Sequence, residues 1–518
     1  MQRRHTLRAQ QPGQLIHQPA LAARRPSIHR HHPAVCQLNI HLTASHSSLP
    51  ILPNLESSVN GVIIIYMPHY ERFIFESFEL DSTNRRILLR YSLDGTINFE
   101  ETVQLPDGLA LNAGHPDLPS ALLALHLAGG ASYYKTWCPR TIEIKSGRLN
   151  AGQAAFWNTL YTHGLGEFFY RNRLDFHGLI NFPTETPGEG TGNHPTQSPG
   201  PADSTPQHLL VPFGGGKDSL VTMELLRKTD ADQTLFRLRG HRLITELAAT
   251  AGLPLIVPGR TLDPKLFELN EAGAYNGHVP ITAYISFLSI VVALLAGFDG
   301  VVFSSERSSS YGNVDYLGME INHQWSKTQV AETLVRNYIS RFITGKVAYL
   351  NLVRPLSELH IAKLFAKYPQ YFPVATSCNR NWLLSARDEH AGHWCGTCPK
   401  CAFTFALLAA WLPEPTVTKI FGHNLFEDTG LRPLYRELWG LEGFKPFECV
   451  GTPEETAAAF YLARTKPGFA GTAMMNEFAR TMLPTLKAPD ALVKELLTPE
   501  TGLASPASAR LLKQAGVL

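Results

Sequence analysis

The sequence predicts an α/β fold built on a parallel sheet, with an N-terminal α+β domain before it and a helical region after it. Three observations support this prediction. Apolar and polar residues alternate over 73–103, strand-like and helix-like patterns alternate over 208–304, and helical periodicity dominates beyond Cys401. With 44% hydrophobic and 17% charged residues, a chain of 518 residues is long enough for two to four domains with cores of their own.

Local patterns predict the elements in order. The alternation over 73–103 indicates antiparallel strands with a hairpin at Asp94-Gly95, because Asp-Gly favours the tightest hairpin turns. Apolar residues at helical spacing follow over 119–135 and 151–174. The next predicted elements are strands at 208–213, 255–257 and 301–304 and helices at 218–228 and 280–297. Such alternation is typical of a parallel sheet.

Composition divides the chain further. Residues 1–66 contain six arginines, no lysine and one acidic residue. They are predicted to be a disordered leader, or sequence upstream of a natural start at Met67; a transit peptide is the alternative. Residues 183–207 contain six prolines and four glycines and are predicted to be a disordered linker. The other predicted divisions are the α+β domain (67–182), the α/β domain (208–375), a helical region containing a cysteine cluster (376–470) and a helical tail (471–518).

Charge, cysteine usage and hydropathy indicate location and partners. Without its basic leader the chain is slightly acidic, which argues against a nucleic-acid partner. Seven cysteines, four of them clustered, do not resemble a secreted disulfide framework and favour the cytoplasm. The uncharged run 279–298 has the length of a membrane span, but it contains Pro, Ser, Thr and Tyr and leads directly into a strand pattern. We therefore expect a buried helix and no stable membrane insertion.

The stretch "VPFGGGKDS", residues 211–219, places a glycine-rich turn between a strand and a helix. It does not match G-x-x-x-x-G-K-[ST], because Asp218 follows Lys217 and Val211 stands where the first glycine belongs. Backbone N–H groups at a helix start still bind anions, a lysine adds full charge, and carboxylate and hydroxyl oxygens suit Mg²⁺. The alternative is a turn without a ligand. The predicted phosphate-binding residues are Gly214, Gly215, Gly216, Lys217, Asp218 and Ser219.

Four cysteines have the spacing C-x16-C-x2-C-x2-C. Four thiolates suit the tetrahedral geometry of zinc, and a closed set of ligands indicates a structural rather than a catalytic ion. An iron–sulfur cluster and unligated thiols are the alternatives, and His390 or His393 could substitute as a ligand. The predicted ligands are Cys378, Cys395, Cys398 and Cys401.

Polar stretches at 270–283, 304–313 and 320–328 lie where a parallel sheet presents its ligand-binding loops, and 443–455 interrupts the helical C-terminal region. Each candidate in them has a plainer interpretation: a capping or core histidine, a solvated charge pair, a surface face or a buried thiol. If helical, the segment with His323 and Lys327 places both on one face, because they are four residues apart. The candidates are His278, Glu306, Arg307, His323, Lys327 and Cys449.

The glycine turn resembles the S-G-G-x-D-S loop of the ATP pyrophosphatase (PP-loop) superfamily, with Gly214 in place of the serine. Together with "NGHVPITA", "SSERSSSYGN", "NHQWSKT", "CGTCPKCAF" and "KPFECVGTPEE", it resembles the MurL family of UDP-N-acetylmuramoyl-L-alanyl-L-glutamate epimerases over about residues 70–470. The resemblance implies a PP-loop, adenine nucleotide alpha hydrolase-like fold for the α/β domain. It also implies an isomerase of peptidoglycan precursor synthesis that inverts the terminal L-glutamate of the UDP-linked muramoyl dipeptide.

The resemblance further implies that ATP and Mg²⁺ are used, that AMP and pyrophosphate are products, and that an acyl-adenylate forms on the glutamate. In that scheme residues 214–219 hold the pyrophosphate end of ATP, Lys217 stabilises the departing charge and Asp218 assists Mg²⁺. The acid–base candidates are His278, His323, Lys327 and Cys449, and the candidates for binding substrate phosphates and carboxylate are Arg260, Arg307 and Lys445.

Two other functions fit parts of the sequence. A PP-loop enzyme that modifies a nucleobase or tRNA, similar to deazaguanine synthases or thiolases, would also combine this loop with a four-cysteine zinc site. The slightly acidic body argues against the tRNA version. The second alternative is a nucleotide sensor without turnover, which Gly214 in place of serine would favour.

Overall fold

The computed structural model describes residues 70–185, 205–382 and 393–518. The predicted leader, with Met67, and residues 186–204 of the predicted linker lie outside these ranges. Residues Tyr70–Leu518 form one compact unit, and the division of this part into domains stays a prediction.

The strands of the described ranges are short except at the N-terminal end. In chain order they are β1 (Arg72–Asp81), β2 (Arg86–Leu93), β3 (Ile97–Gln104), β4 (Thr141–Ile144), β5 (His208–Pro212), β6 (Asp232–Phe236), β7 (Leu255–Ile256), β8 (Gly259–Thr261), β9 (Gly300–Phe303), β10 (Val314–Tyr316), β11 (Met319–Ile321) and β12 (Ala348–Asn351).

The α-helices become more frequent toward the C-terminus. They are α1 (Leu118–Tyr134), α2 (Ala151–Gly164), α3 (Gly166–Asn172), α4 (Lys217–Leu226), α5 (Arg242–Ala251), α6 (Pro264–Glu271), α7 (Ile281–Ala296), α8 (Gln329–Phe342), α9 (Glu358–Phe365), α10 (Pro399–Ala409), α11 (Glu414–Phe421), α12 (Arg432–Leu438), α13 (Pro453–Ala463), α14 (Ala473–Thr481), α15 (Pro489–Leu497) and α16 (Pro506–Gln514).

The first sheet has the strand order β4-β1-β2-β3-β8. It confirms the predicted antiparallel strands and their hairpin, since Leu93 pairs with Ile97 around Asp94-Gly95. Three residues lie between this pair, and the first two, Asp94 and Gly95, have positive φ, 52° and 74°, while the N–H of Thr96 donates to the Leu93 carbonyl. Strand β8 was not predicted. It lies far along the chain and pairs antiparallel with β3.

The second sheet has the order β12-β9-β5-β6-β7, and every pairing in it is parallel. This confirms the predicted α/β architecture, while the PP-loop fold in particular stays a prediction. From β5 the chain adds β6 and β7 on one side and then β9 and β12 on the other. The strand order therefore reverses between β5 and β9, and ligands of open α/β sheets bind outside the carboxyl ends of strands at such a point.

Helix α7 connects the two halves of the structure. It contacts α1, which packs on the first sheet, and it also contacts β5 and β9 of the second sheet. Residues along nearly its whole length are buried, from Ala283 to Leu295, which confirms the predicted buried helix. Within the described ranges, no helix is at once long and apolar enough to cross a bilayer.

The predicted helix over 151–174 is two helices, α2 and α3, with Leu165 between them. At Gly164 a β-carbon would lie 2.9 Å from the Pro280 ring, so glycine permits the close approach of this turn to the start of α7. The break reorients α3, which carries Glu167. The C-terminal region is helical as predicted, with a non-helical stretch between α12 and α13.

Candidate active site

The glycine loop connects β5 to α4 at the switch point of the second sheet. Gly215 has φ of +76°, a conformation that favours glycine, and a β-carbon at Gly216 would lie 3.2 Å from Ser377. No atom lies within 4 Å of a β-carbon built at Gly214, so a serine would fit there. Helix α4 begins at Lys217 with Gly216 as its N-cap. The loop thus has the strand–turn–helix context that a phosphate site requires.

Lys217 lies in a buried cluster with three carboxylates. Its Nζ is 2.6 Å from Oδ1 of Asp218 and also contacts Glu358, the first residue of α9. Glu306, which follows β9, completes the cluster. Burial lowers the pKa of Lys217, but the three carboxylates outweigh it and raise that pKa above its ordinary value. Burial raises the pKa of Glu358 to about 8 against the opposing effect of Lys217.

The three carboxylates fit a divalent cation. One oxygen from each of Asp218, Glu306 and Glu358 lies within 4.8 Å of the others. Carboxylate oxygens are the protein ligands that Mg²⁺ prefers, and in nucleotide sites it completes its shell with waters and phosphates. The donor set and its place beside the glycine loop therefore match the predicted magnesium, with Glu358 added to Asp218.

A second cluster surrounds Cys449, and we call it the thiol cluster: Glu167, His278, His323, Lys327 and Cys449. The Sγ atom of Cys449 accepts a hydrogen bond from Nζ of Lys327 at 3.3 Å, and the charge of Cys449 also acts on His323. On its other side, Nδ1 of His323 is 2.5 Å from Oε2 of Glu167. The rings of His278 and His323 are 4.7 Å apart, and Nδ1 of His278 is 3.6 Å from the same Glu167 oxygen.

The two neighbouring histidines have opposite pKa shifts. Burial and the charge of His323 lower the pKa of His278 to about 4. Burial also lowers the pKa of His323, but Cys449 and Glu167 outweigh it and raise that pKa to about 9. Near neutral pH the site therefore holds a neutral imidazole beside an imidazolium. Pairs of groups with pKa values separated in this way are typical of acid–base catalysis.

Charged groups of each cluster shift pKa values in the other cluster. Cys449 raises the pKa of Lys327 above its ordinary value, and Glu306 and Asp218 of the carboxylate cluster add to the effect. Nζ of Lys400 contacts the carbonyl oxygen of Cys449, and its charge also lowers the pKa of Asp218. A molecule bound at the glycine loop would thus face the same cations that surround the thiol.

The structure places four of the five residues predicted to be catalytic in the thiol cluster, while Lys217 lies in the carboxylate cluster. His323 and Lys327 do not share an α-helix, because Lys327 belongs to a short 3-10 turn, Trp325–Lys327, that begins after His323. Cys449 is a free thiol, partly buried beside charged side chains, and its role in catalysis stays a prediction. Cys138, by contrast, is an ordinary buried thiol.

The three candidates for substrate binding have different surroundings. Arg260 is nearly buried and bound through two hydrogen bonds, 2.9 and 2.8 Å, to the fully buried Glu101. It therefore holds β8 on the first sheet and is not available to a substrate. Arg307 is partly exposed near Glu500, and Nζ of Lys445 donates to the Tyr311 carbonyl at 2.9 Å. The latter two remain candidates.

Sequence analysis did not single out Arg354, which holds both clusters in place. Its guanidinium donates to the backbone carbonyls of Glu306 and Lys327, and its Nε is 2.8 Å from Oε2 of Glu332. The side chain is 1% exposed. This arginine therefore links the loop after β9 to the segment that carries Lys327.

We expect Arg354→Met to lower the free energy of unfolding by about 3–5 kcal/mol, because it removes the buried cation of Glu332, which then keeps only the partly exposed Arg336. Urea denaturation followed by circular dichroism measures this loss. The double variant Arg354→Met, Glu332→Gln should recover part of it, since no buried charge is left unpaired. Equal losses in the single and double variants would contradict the explanation.

The four predicted zinc ligands also meet in one place. Their Sγ atoms all lie within 4.8 Å of one another, with separations of 3.9 Å (Cys378–Cys398), 3.6 Å (Cys395–Cys401) and 3.5 Å (Cys398–Cys401). A tetrahedral ion with Zn–S bonds of about 2.3 Å needs sulfur separations of roughly 3.8 Å. The donor set and its spacing fit zinc.

This cysteine cluster borders the active site. The backbone N–H of Thr376, two residues before Cys378, donates to the Gly215 carbonyl at 3.2 Å. Lys400, which contacts the Cys449 carbonyl, lies between two of the cysteines in sequence. An ion held by the four thiolates would therefore position both the glycine loop and the segment with Cys449.

Comparison with known proteins covers most of the chain. The MurL N-terminal domain model matches residues 66–352 and the MurL C-terminal domain model matches residues 374–492. A Xanthomonas oryzae pv. oryzae protein named UDP-N-acetyl-alpha-D-muramoyl-L-alanyl-L-glutamate epimerase is 40% identical over 431 residues, 83% of this chain and 93% of its own length.

Proteins with the same name from two other bacteria are similarly related. The Salinispora tropica protein is 38% identical over 408 residues, 77% of this chain and 86% of its own length. The Micromonospora protein is 40% identical over 400 residues, 76% of this chain and 86% of its own length. The matched regions include the glycine loop, the thiol cluster, the four cysteines, and Asp218 and Glu306 of the carboxylate cluster, while Glu358 lies between the two regions. The chain therefore belongs to the MurL family.

Proposed function

We propose that this protein is an ATP-dependent epimerase that inverts the terminal L-glutamate of UDP-N-acetylmuramoyl-L-alanyl-L-glutamate through an acyl-adenylate. The names of its relatives support the substrate and the type of reaction. The observation that carries the mechanism is the electrostatic interaction between the carboxylate cluster at the glycine loop and a cluster with one neutral and one protonated histidine. The first can activate a carboxylate, and the second can move the proton next to it.

The role of ATP follows from the chemistry of the glutamate α-carbon. An ionised carboxylate opposes the removal of the neighbouring proton, because the product would carry a second negative charge. Attack of the α-carboxylate on the α-phosphorus of ATP forms a mixed anhydride and expels pyrophosphate. The anhydride is neutral at the carboxyl group, so its α-proton is far more acidic. Each ~1.4 kcal/mol removed from the barrier increases the rate tenfold.

The residues of the glycine loop have distinct roles in this activation. Backbone N–H groups at the start of α4 bind the phosphates, and Lys217 stabilises the charge that develops on pyrophosphate. Asp218, Glu306 and Glu358 would hold Mg²⁺, which supplies positive charge to the phosphate oxygens. An ion there would replace Lys217 as the partner of Asp218 and Glu358 and would leave the ammonium group available to the phosphates.

The thiol cluster then transfers the proton. His278, neutral because of burial, is the base that removes the α-proton, and His323, protonated because of Cys449 and Glu167, is an acid beside it. Arg307 and Lys445 are the candidates for binding the carboxylate and phosphate groups of the substrate. Cys378, Cys395, Cys398 and Cys401 would hold a structural zinc ion.

One experiment tests the function. The purified protein is incubated with ATP, Mg²⁺ and the UDP-linked L-alanyl-L-glutamate substrate in D₂O. We expect D-glutamate after hydrolysis of the product, deuterium at its α-position, and AMP with pyrophosphate. Inversion without nucleotide, or with ADP as the product, would contradict the proposal.

The activity is expected to depend on pH through the two histidines. His278 must be neutral and His323 protonated, so kcat/KM should be constant between about pH 4 and about pH 9 and fall above the latter. Glu167→Gln removes one charge that raises the pKa of His323, and the upper limb should move to lower pH. A pH profile of kcat/KM for both proteins measures the shift, and an unchanged upper limb would exclude His323 as the acid.

Removal of zinc should impair both half-reactions. We expect about one zinc per chain by mass spectrometry of the metal content, and loss of ATP–pyrophosphate exchange together with inversion in Cys398→Ser. The reason is that the cysteine cluster positions the glycine loop and Lys400. Cys138→Ser, at a thiol outside the cluster, is the control and should retain the ion. A metal-free wild-type protein with full activity would contradict the assignment.

A further inference from the structure

The groups around Cys449 follow the order nucleophile, imidazole and carboxylate. Nζ of Lys327 donates to Sγ of Cys449 at 3.3 Å, and the charge of Cys449 also acts on the ring of His323. Nδ1 of His323 is 2.5 Å from Oε2 of Glu167, and Nε of Arg171 is 2.6 Å from the other Glu167 oxygen. Glu167 is therefore held on both sides and orients the imidazole. This order of groups is the one that activates cysteine and serine nucleophiles on unrelated folds.

The backbone around the sulfur is anchored from several sides. Lys400 contacts the Cys449 carbonyl, and the amide of Gln324 donates to the Val450 carbonyl at 3.3 Å. The side chain of Asn313 donates to the carbonyls of Lys445 and Pro446, at 3.0 and 2.8 Å. The sulfur thus has a fixed position beside the carboxylate cluster, as a nucleophile requires.

The charges around the sulfur favour attack on carbon over proton transfer. Burial alone raises the pKa of Cys449, but Lys327, His323 and Lys400 outweigh it and hold that pKa well below its ordinary value. Such a thiolate is a weak base and is protonated only with difficulty. Nucleophilicity falls less steeply than basicity as a thiol pKa falls.

We propose that Cys449 is a covalent nucleophile that takes the glutamyl group from the acyl-adenylate as a thioester, and that the α-carbon is inverted on this thioester. This inference rests on the proposed function, which supplies the acyl-adenylate. The thiolate attacks the carbonyl carbon, a C–S bond forms, and the bond from that carbon to the AMP oxygen breaks. AMP leaves with the electron pair of that bond.

The thioester keeps the α-proton acidic after AMP has left. Formation of the C–S bond also removes the negative charge of the thiolate, one of the two groups that raise the pKa of His323. The imidazolium then becomes a stronger acid at the stage when a proton must be returned. Water finally adds to the carbonyl carbon, the C–S bond breaks, and its electron pair returns to the sulfur as a thiolate. One proton of this water restores the imidazolium of His323, and the other proton and the α-proton held by His278 pass to solvent.

The test compares the wild-type protein with Cys449→Ala, using substrate labelled in the glutamate. We expect Cys449→Ala to retain ATP–pyrophosphate exchange, which also shows that it is folded, while AMP release falls by about 10³-fold or more. Acid-quenched wild-type protein should carry a mass of substrate minus water on the peptide that contains Cys449, removable by hydroxylamine. Cys449→Ser serves in the same assays if the alanine variant does not fold, and Cys138→Ala should retain the adduct.

The possible results distinguish failure of the thioester proposal from failure of the proposed function. AMP release by Cys449→Ala at the wild-type rate would overturn the thioester even if inversion were lost, because the sulfur would then act only on the proton. Absence of ATP–pyrophosphate exchange in the wild-type protein would instead show that adenylation itself is wrong.

Discussion

Lys217→Met is expected to abolish measurable ATP–pyrophosphate exchange and to lower kcat/KM for inversion by about 10²- to 10³-fold. Lys217 is the buried cation of the carboxylate cluster and lies at the first turn of the helix that follows the glycine loop. Without it, no full positive charge from the protein meets the pyrophosphate leaving group at this point. Exchange of radioactive pyrophosphate into ATP, which requires only the first half-reaction, measures the loss directly.

Two measurements distinguish a loss of catalysis in Lys217→Met from a loss of folding. Lys228→Met changes an exposed lysine just beyond the other end of the same helix and should leave exchange unchanged. Thermal unfolding of Lys217→Met shows whether Asp218 and Glu358, left without their cation, destabilise the fold. Undiminished exchange in a folded Lys217→Met protein would remove Lys217 from the adenylation step.

His278→Asn is expected to lower kcat for inversion by about 10²- to 10⁴-fold while ATP–pyrophosphate exchange continues. Asparagine keeps a polar side chain of similar reach but cannot accept the α-proton. The reaction in D₂O should therefore release AMP without placing deuterium in the glutamate. Chiral analysis and mass spectrometry of the glutamate measure both quantities.

The matched control for this variant is His208→Asn, at the amino end of β5 and 63% exposed. It should behave as the wild-type protein. Deuterium incorporation at the wild-type rate in His278→Asn would contradict the assignment of His278 as the base. Loss of exchange in the same variant would mean that His278 serves the first half-reaction instead.

Much of the candidate site could be predicted because its residues lie at recognisable places. The glycine loop follows a strand and begins a helix, and the four cysteines have the spacing of a metal site. Glu358 could not be predicted in this way. It follows β12, a four-residue strand that local pattern did not reveal, so its place at the same sheet edge as Asp218 was not apparent.

Glu167 and Arg354 were missed for a different reason. Glu167 contacts His323 from α3, a separate helix after α2 whose start local periodicity did not reveal, and the two residues are 156 positions apart in sequence. Arg354 contacts backbone carbonyls, which carry no sequence signature. Arg260, in contrast, was predicted to bind the substrate and does not. Its charge suggested contact with substrate phosphates or carboxylate, but its hydrogen bonds to Glu101 give it a structural role.

The sequence by itself determined the class of fold, the glycine loop, the set of thiolate ligands and the list of candidate catalytic groups, because each depends on residues that are neighbours in the chain or have a fixed spacing. Tertiary structure alone decided which of those groups meet. The environment of Cys449 and the opposite protonation of His278 and His323 arise from burial and from charges on segments distant in sequence, up to the 156 positions between Glu167 and His323. A pKa depends on distance and burial in space, and neither can be read from position along the chain.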